Sequence, residues 1–197
     1  MHCIILAADF APRPHPFAKN FPNALLPIKG KALLDYLIED VIKQKEISHI
    51  TVITNAPSFP LFHKHVHNAY PETAITVLNN EIADEANTLT IDEDILVLTS
   101  DTYSSLKLQD FIRFYRQFKS LTTAASFSTP IPFYIIPQSR LSLVDSYLKE
   151  NGPAALGKLF AWAILKNEPV YTYNIGSGFA HDIRTQQGYD KAISSGK

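Results

Sequence analysis

Two rhythms of apolar residues run along the chain. Short β-branched or wholly apolar runs recur at 2–7, Ile50–Thr54, Ile75–Leu78, Ile95–Ser100, Thr122–Phe127, Phe133–Ile136 and Val170–Tyr173. Such runs predict strands. Between them apolar residues return at helical spacing. Leu33, Leu34, Leu37, Ile38, Val41 and Ile42 mark a helix over 31–46, with charge on its other face. Similar spacing predicts helices over 60–69, closed by Pro71, and over 106–119, 138–149 and 154–167, with a last one from about Gln186. Residues 79–94 are polar and acidic and carry at most one short helical turn. Alternating strand and helix predict the α/β class, a parallel sheet with helices on both faces. No repeat, linker or low-complexity tract divides the chain, so residues 1–197 are expected to form a single domain.

Composition narrows the function classes. The chain has 197 residues, 46% hydrophobic and 19% charged, which suits one globular domain with a full core. A net charge of -1, with no basic stripe, gives no case for nucleic acid or an anionic membrane as partner. Cys3 is the only cysteine and sits inside the first apolar run. It excludes an intrachain disulfide, and it reads as a small core residue rather than a nucleophile. No apolar run approaches the ~20 residues of a membrane span. The start of the chain lacks the basic region of a signal peptide. A reducing, cytoplasmic setting is the expectation.

The candidate chemistry gathers where the first strand ends. Residues 4–28 pass from the apolar Ile4-Ile5-Leu6 through Ala7, Ala8 and Asp9 into a Pro-rich loop with one arginine, Arg13. The stretch closes on Leu25-Leu26-Pro27-Ile28. A loop after a buried strand lies at the carboxyl edge of a parallel sheet, where open α/β folds bind ligands. Two carboxylates also follow strands or turns: Asp101 after Ile95–Ser100, and Asp182 after Gly176-Ser177-Gly178. The alternative for Asp101 is a cap on the following helix, and for Asp182 a cap on the last helix or a turn. His63 and His67 share the i, i+4 spacing of zinc ligands, but no carboxylate or cysteine follows at a suitable distance. A solvated helix face suits them better. Leu159, Phe160 and Trp162 read as core.

The first stretch resembles the signature of the sugar-phosphate nucleotidylyltransferases, L-A-A-G-x-G-T-R-L-x-P followed by P-K-x-L-L-P-I. Leu6, Ala7, Ala8, Arg13, Pro16, Pro22, Leu25, Leu26, Pro27 and Ile28 match it. Asp9 and Ala11 stand in place of the loop glycines, Pro12 of the threonine, Pro14 of the leucine and Asn23 of the lysine. The resemblance implies a three-layer α/β/α sandwich with a mostly parallel, Rossmann-like sheet. It implies attack of an acceptor phosphate on the α-phosphate of a nucleoside triphosphate, with release of pyrophosphate. Acceptors in the family are sugar 1-phosphates or phosphocholine-like molecules. Leu6, Ala7, Ala8 and Asp9 would touch the nucleotide, Arg13 would act in catalysis, and Asn23 would stand at the substrate phosphate. Asp101 and Asp182 would hold Mg²⁺. The second aspartate belongs to the family's W-x-D-I-G-T-P, written here Ala180-His181-Asp182-Ile183-Arg184-Thr185, with Tyr189 downstream as in the family.

The substitutions shape the expected activity. Phosphate cradles rely on backbone N–H groups and favour glycine. Asp9 brings negative charge toward a polyanion, Pro12 and Pro14 have no N–H, and Asn23 cannot neutralise charge. The family's G-T-A helix before the Asp101 strand has only residues 79–94 in its place. Ser128–Pro132 closes the gap where the family inserts hairpins. These features imply impaired turnover, and keep open a non-catalytic member that binds a partner protein or, weakly, a nucleotide. An apolar face left uncovered by the missing hairpins predicts a homodimer.

Overall fold

The structure is a computed structural model that describes residues 1–8, 21–80, 91–127, 130–152 and 156–195. In chain order, β1 (His2–Leu6) is followed by the hairpin β2 (Pro27–Ile28) and β3 (Lys31–Ala32), then α1 (Leu33–Ile42). Next come β4 (His49–Thr54), α2 (Phe59–Ala69), β5 (Ile75–Asn79), β6 (Ile95–Thr99), β7 (Thr102–Ser104) and α3 (Leu108–Phe118). β8 (Leu121–Ala125), β9 (Pro130–Ile136), α4 (Leu141–Asn151), α5 (Leu156–Leu165), β10 (Val170–Asn174), β11 (Ala180–Asp182) and α6 (Gln186–Ser194) complete the described elements.

The central sheet has seven strands in the order β10-β8-β9-β6-β1-β4-β5. β9 runs antiparallel to both neighbours, and every other pairing in this sheet is parallel. From β1 the chain moves to β4 and β5 on one side, then returns to place β6 on the other. The direction of winding therefore reverses between β1 and β6. In open α/β sheets a crevice opens at the carboxyl ends of such a strand pair.

Alternate side chains of the strands feed two cores. On one face Cys3, Ile5, Leu96 and Leu98 pack with Leu34 and Ile38 of α1, Phe62 of α2 and Phe111 of α3. On the other face Val97, Tyr134 and Ile136 meet Val144 and Tyr147 of α4 and Leu159, Phe160 and Ala163 of α5. Each fully buried aliphatic or aromatic side chain here contributes about 1.5–3 kcal/mol relative to exposure. Tyr134 stacks on Phe160 with ring centroids 4.6 Å apart, so Leu159 and Phe160 are core as predicted. Trp162 packs at the margin against Tyr147. Cys3 is fully buried, and burial pushes its thiol well above its ordinary pKa, as suits a structural cysteine. No described helix is long and apolar enough to cross a membrane.

Local chemistry explains the differences from the predicted elements. The first helix begins at Leu33, because Lys31–Ala32 pairs antiparallel with Pro27–Ile28. Lys29 and Gly30 turn that hairpin with φ of 53° and 82°. Two successive positive φ values are the hairpin geometry that glycine makes possible. β9 starts at Pro130, ahead of the predicted Phe133. Its proline-bearing end pairs only with β8, beyond a register shift at Thr123/Ala124, while β6 pairs with Phe133–Ile136. Prolines that lack an N–H are thus kept out of the doubly bonded part of the strand.

Candidate functional site at the carboxyl edge of the sheet

The two central strands place the first sequence candidates. At the end of β1, Ala7 donates its N–H to the Ile53 carbonyl at 2.7 Å. The Leu6 carbonyl accepts from both the backbone N–H and the hydroxyl of Ser100, each at 3.0 Å. Ala7 and Asp101 therefore leave adjacent strands side by side, at the reversal in winding. Ala7 is buried and Ala8 half-buried. Asp9 and Arg13 lie outside the described residues.

The second aspartate arrives from the other end of the chain. β11 pairs antiparallel with β7, with Asp182 opposite Thr102, and Ile183 N–H donates to the Asp101 carbonyl at 2.9 Å. Gly178 and Gly188 make this return possible. A Cβ on Gly178 would lie 2.5 Å from Ser105 Oγ, and one on Gly188 only 1.8 Å from the Asp182 carbonyl oxygen. Thr185 caps α6 by accepting the Gly188 N–H at 3.0 Å. α3 is preceded by Lys107, so neither aspartate caps a helix. Asp182 instead closes a turn, its Oδ1 accepting the Arg184 N–H at 2.9 Å.

Arg184 binds both carboxylates. Its Nε donates to Asp182 Oδ1 at 2.8 Å, and its Nη2 to Asp182 Oδ2 at 2.7 Å. The same Nε lies 3.4 Å from Asp101 Oδ2. Thr102 Oγ1 donates to the remaining Asp101 oxygen, Oδ1, at 3.2 Å. Desolvation alone would raise the Asp182 pKa, but the hydrogen bonds and charge of Arg184 outweigh it and leave the pKa lowered. Two carboxylates are hard donors of the kind Mg²⁺ takes. Here, however, both oxygens of Asp182 and one of Asp101 already face a guanidinium. As arranged, this donor set does not fit a divalent ion without displacement of Arg184.

Sequence reasoning missed that role of Arg184. Its signal was present as a cation two residues after Asp182, in the position of the family's glycine. It also missed three buried oxygens. Thr54 Oγ1, Asn80 Oδ1 and Thr99 Oγ1 have no hydrogen-bond partner among the described residues. They lie at the carboxyl ends of β4, β5 and β6. Buried polar atoms without a partner are costly and call for one, from a residue, a water or a ligand. Asn23 starts a 3-10 turn at Asn23–Leu25 and is only 3% exposed, so it is packed rather than solvated.

Among the histidines, the pair at i, i+4 spacing keeps the solvated helix face that the sequence suggests. His63 and His67 stack on each other along exposed α2, and they form no three-ligand cluster among the described residues. His65 pairs with Asp35 at 2.7 Å, and Tyr70 donates to the same carboxylate at 3.1 Å. His2 and His49, which begin β1 and β4, and Glu93, which precedes β6, bring ligand atoms within 4.8 Å of one another and could hold a metal ion. Glu93 there also takes the Met1 ammonium at 2.6 Å.

Comparison with known proteins gives the family and the fold. Residues 2–132 match the family model for nucleotidyl transferases. Among solved structures, a protein assigned as a glucose-1-phosphate thymidylyltransferase from Bacillus anthracis superposes with a TM-score of 0.75 at 16% identity. That match covers 100% of this chain and 97% of the other. A UDP-glucose pyrophosphorylase complexed with UDP-glucose gives 0.73 at 14%, covering 98% and 96%. A UDP-glucose pyrophosphorylase from Acinetobacter baumannii gives 0.70 at 12%, covering 98% and 91%. At these identities the likeness is one of fold. No curated protein matches the sequence.

Proposed function

Because the chain belongs to the nucleotidyl transferase family, we propose that it binds a nucleoside triphosphate at the carboxyl edge of β1 and β6, with a sugar 1-phosphate or phosphocholine-like acceptor beside it, and that turnover is slow or absent. The observation that carries this reading is the pair of bonds from Ser100 to the Leu6 carbonyl. They set Ala7 beside Asp101 at the topological switch point, where open α/β sheets take nucleotides.

In this reading an oxygen of the acceptor phosphate attacks the α-phosphorus. The bond from that phosphorus to the bridging oxygen of the β-phosphate breaks, and pyrophosphate leaves. Leu6, Ala7, Ala8 and Asp9 line the nucleotide. The Ala7 N–H is taken by Ile53, so Ala7 offers contact and not a donor. Arg13 offsets charge on the transferring group, the largest demand of such chemistry. Asn23 stands at the substrate phosphate without a charge to give. Arg184 faces Asp101 and Asp182, the carboxylates that would hold Mg²⁺.

A second reading is a non-catalytic member that binds a partner protein or a nucleotide weakly. The neutral, packed Asn23 favours it. Calorimetric titration of the four NTPs, with and without Mg²⁺, together with a pyrophosphate assay, separates the two. Saturable NTP binding, with slow or undetectable pyrophosphate release, supports the first reading, and weak or no NTP binding supports the second. Self-association into a homodimer belongs to the same reading, supported by Ile164 and Leu165, 59% and 82% exposed at the end of α5. A monomeric mass by light scattering at high micromolar concentration rejects it.

A further inference from the structure

The two aspartates of the sheet edge would repel each other if left alone. Like charges that share a site disfavour each other's ionised form, and a cation beside them offsets this. One is present within the chain. Arg184 follows Asp182 by two residues, and the turn closed by its own N–H on Asp182 Oδ1 aims its side chain back over both carboxylates. It grips Asp182 with two parallel N–H donors, the fork geometry that makes arginine–carboxylate pairs strong and directional. Asp101 is then reached by the same Nε at 3.4 Å. Arg184 needs no unusual backbone for this, since it is not among the residues with positive φ.

We propose that Arg184 is the built-in counter-ion of the Asp101–Asp182 pair, occupying the place of a divalent cation and keeping such an ion out. The inference rests on the nucleotide-site reading for its functional meaning, but its geometry stands without it. Its consequence is electrostatic. A guanidinium carries one positive charge, so the triad stays net negative, whereas a divalent ion would neutralise both carboxylates. A polyphosphate brought to this edge therefore meets residual repulsion and gains no bridging metal. Impairment then has a cause at the second half of the site, independent of the substitutions in the loop after β1.

The test is titration of the nucleotide-free protein with Mn²⁺ alone, followed by electron paramagnetic resonance. It is done in a His49→Ala background, because His2, His49 and Glu93 offer a separate place for an ion. The expected result is no saturable binding below millimolar Mn²⁺ with Arg184 present. Arg184→Gly is expected to bind at least tenfold more tightly, and Asp101→Asn added to it to abolish the gain. Arg184→Gln gives the same answer at similar side-chain length, should the glycine variant fold poorly; circular dichroism and a cooperative melt check both. Tight, Asp101-dependent Mn²⁺ binding with Arg184 intact overturns the proposal. So does the absence of any gain in a folded Arg184 variant. No nucleotide is present, so a failure to bind NTP in the calorimetric experiment leaves this result standing.

Discussion

The hydroxyl of Tyr189 donates to the carbonyl of Pro27 at 2.7 Å, joining the last helix to the hairpin that follows the candidate nucleotide loop. The two residues are 162 positions apart in sequence. Around them Ile28, Leu33, Tyr103, Ile183 and Ala192 form a small separate core, with Tyr36 and Phe179 at its edge. Lys29 Nζ adds a second tie to the Ser195 carbonyl. The chain's end thus braces the segment that carries Asn23. Removing the hydroxyl leaves the Pro27 carbonyl without this donor. Tyr189→Phe is expected to cost about 1 kcal/mol. Chemical denaturation with an unchanged m-value checks it.

Gly188 has a stricter role in the same corner. Its missing Cβ leaves room for the Asp182 carbonyl, which an alanine would meet at 1.8 Å. The obstacle is backbone, so no rotamer change relieves it. Gly188→Ala must shift the first turn of α6 or the β11 strand, with a loss on the order of 3 kcal/mol. Because β11 carries Asp182, the variant should also change the environment of the aspartate pair. A stability within error of the parent would show that α6 tolerates movement there.

Particular residues show how far the sequence carried. Leu96 and Leu98 against Val97 announce a strand buried on both faces, and the structure sends them to two different cores. The helical spacing of Leu34, Leu37, Ile38 and Val41 likewise fixed the buried face of α1. The short pairs were not legible, since the three residues each of β7 and β11 show no period. Strand order was not legible either, because β9 enters between β8 and β6 by long-range pairing. The signature around Ala7 and Asp101 gave the family and the sheet edge. What it could not give was the aim of Arg184, which depends on the turn at Asp182 and on the long-range pairing of β11 with β7.

The buried His2 gives a pH prediction. It is 8% exposed, and its Nε2 lies 2.7 Å from Thr51 Oγ1. Burial lowers its pKa; Glu93 opposes this, and His49 and the Met1 ammonium act in the same direction as burial. The unfolded chain therefore binds the proton more readily than the fold does. His2 imposes no proton-linked penalty above the unfolded value near 6.5, and stability falls as pH drops below that value toward the lowered folded one. His2→Gln, which keeps a polar atom near Thr51, should flatten the melting temperature between pH 7 and 5. An unchanged slope in the variant would assign the pH dependence to other groups.

The last prediction concerns the loop after β1 and the turn at Asn23. A triphosphate carries several negative charges, and its transfer depends on positioning and on offsetting that charge. In the proposed site Asp9 would add repulsion, and Pro12 has no N–H to donate. Losing one oriented donor in a comparable anion site costs on the order of 3 kcal/mol, roughly a hundredfold in rate. Such losses need not add, but they should not cancel. Asp9→Gly, Ala11→Gly and Pro12→Thr together are therefore expected to raise NTP affinity about tenfold or more, read by calorimetry. Turnover should rise less, because these substitutions act on the nucleotide and leave the proposed acceptor side, with Asn23, unchanged. Asn23→Lys behaves differently. Asn23 is 3% exposed, so a lysine there must bury an ammonium or force the 3-10 turn open. It should lower the melting temperature in the free protein and recover part of that loss when NTP is added. Brisk pyrophosphate release by the natural sequence, with any sugar 1-phosphate or phosphocholine, would sink the impaired reading and make the loop substitutions neutral for catalysis.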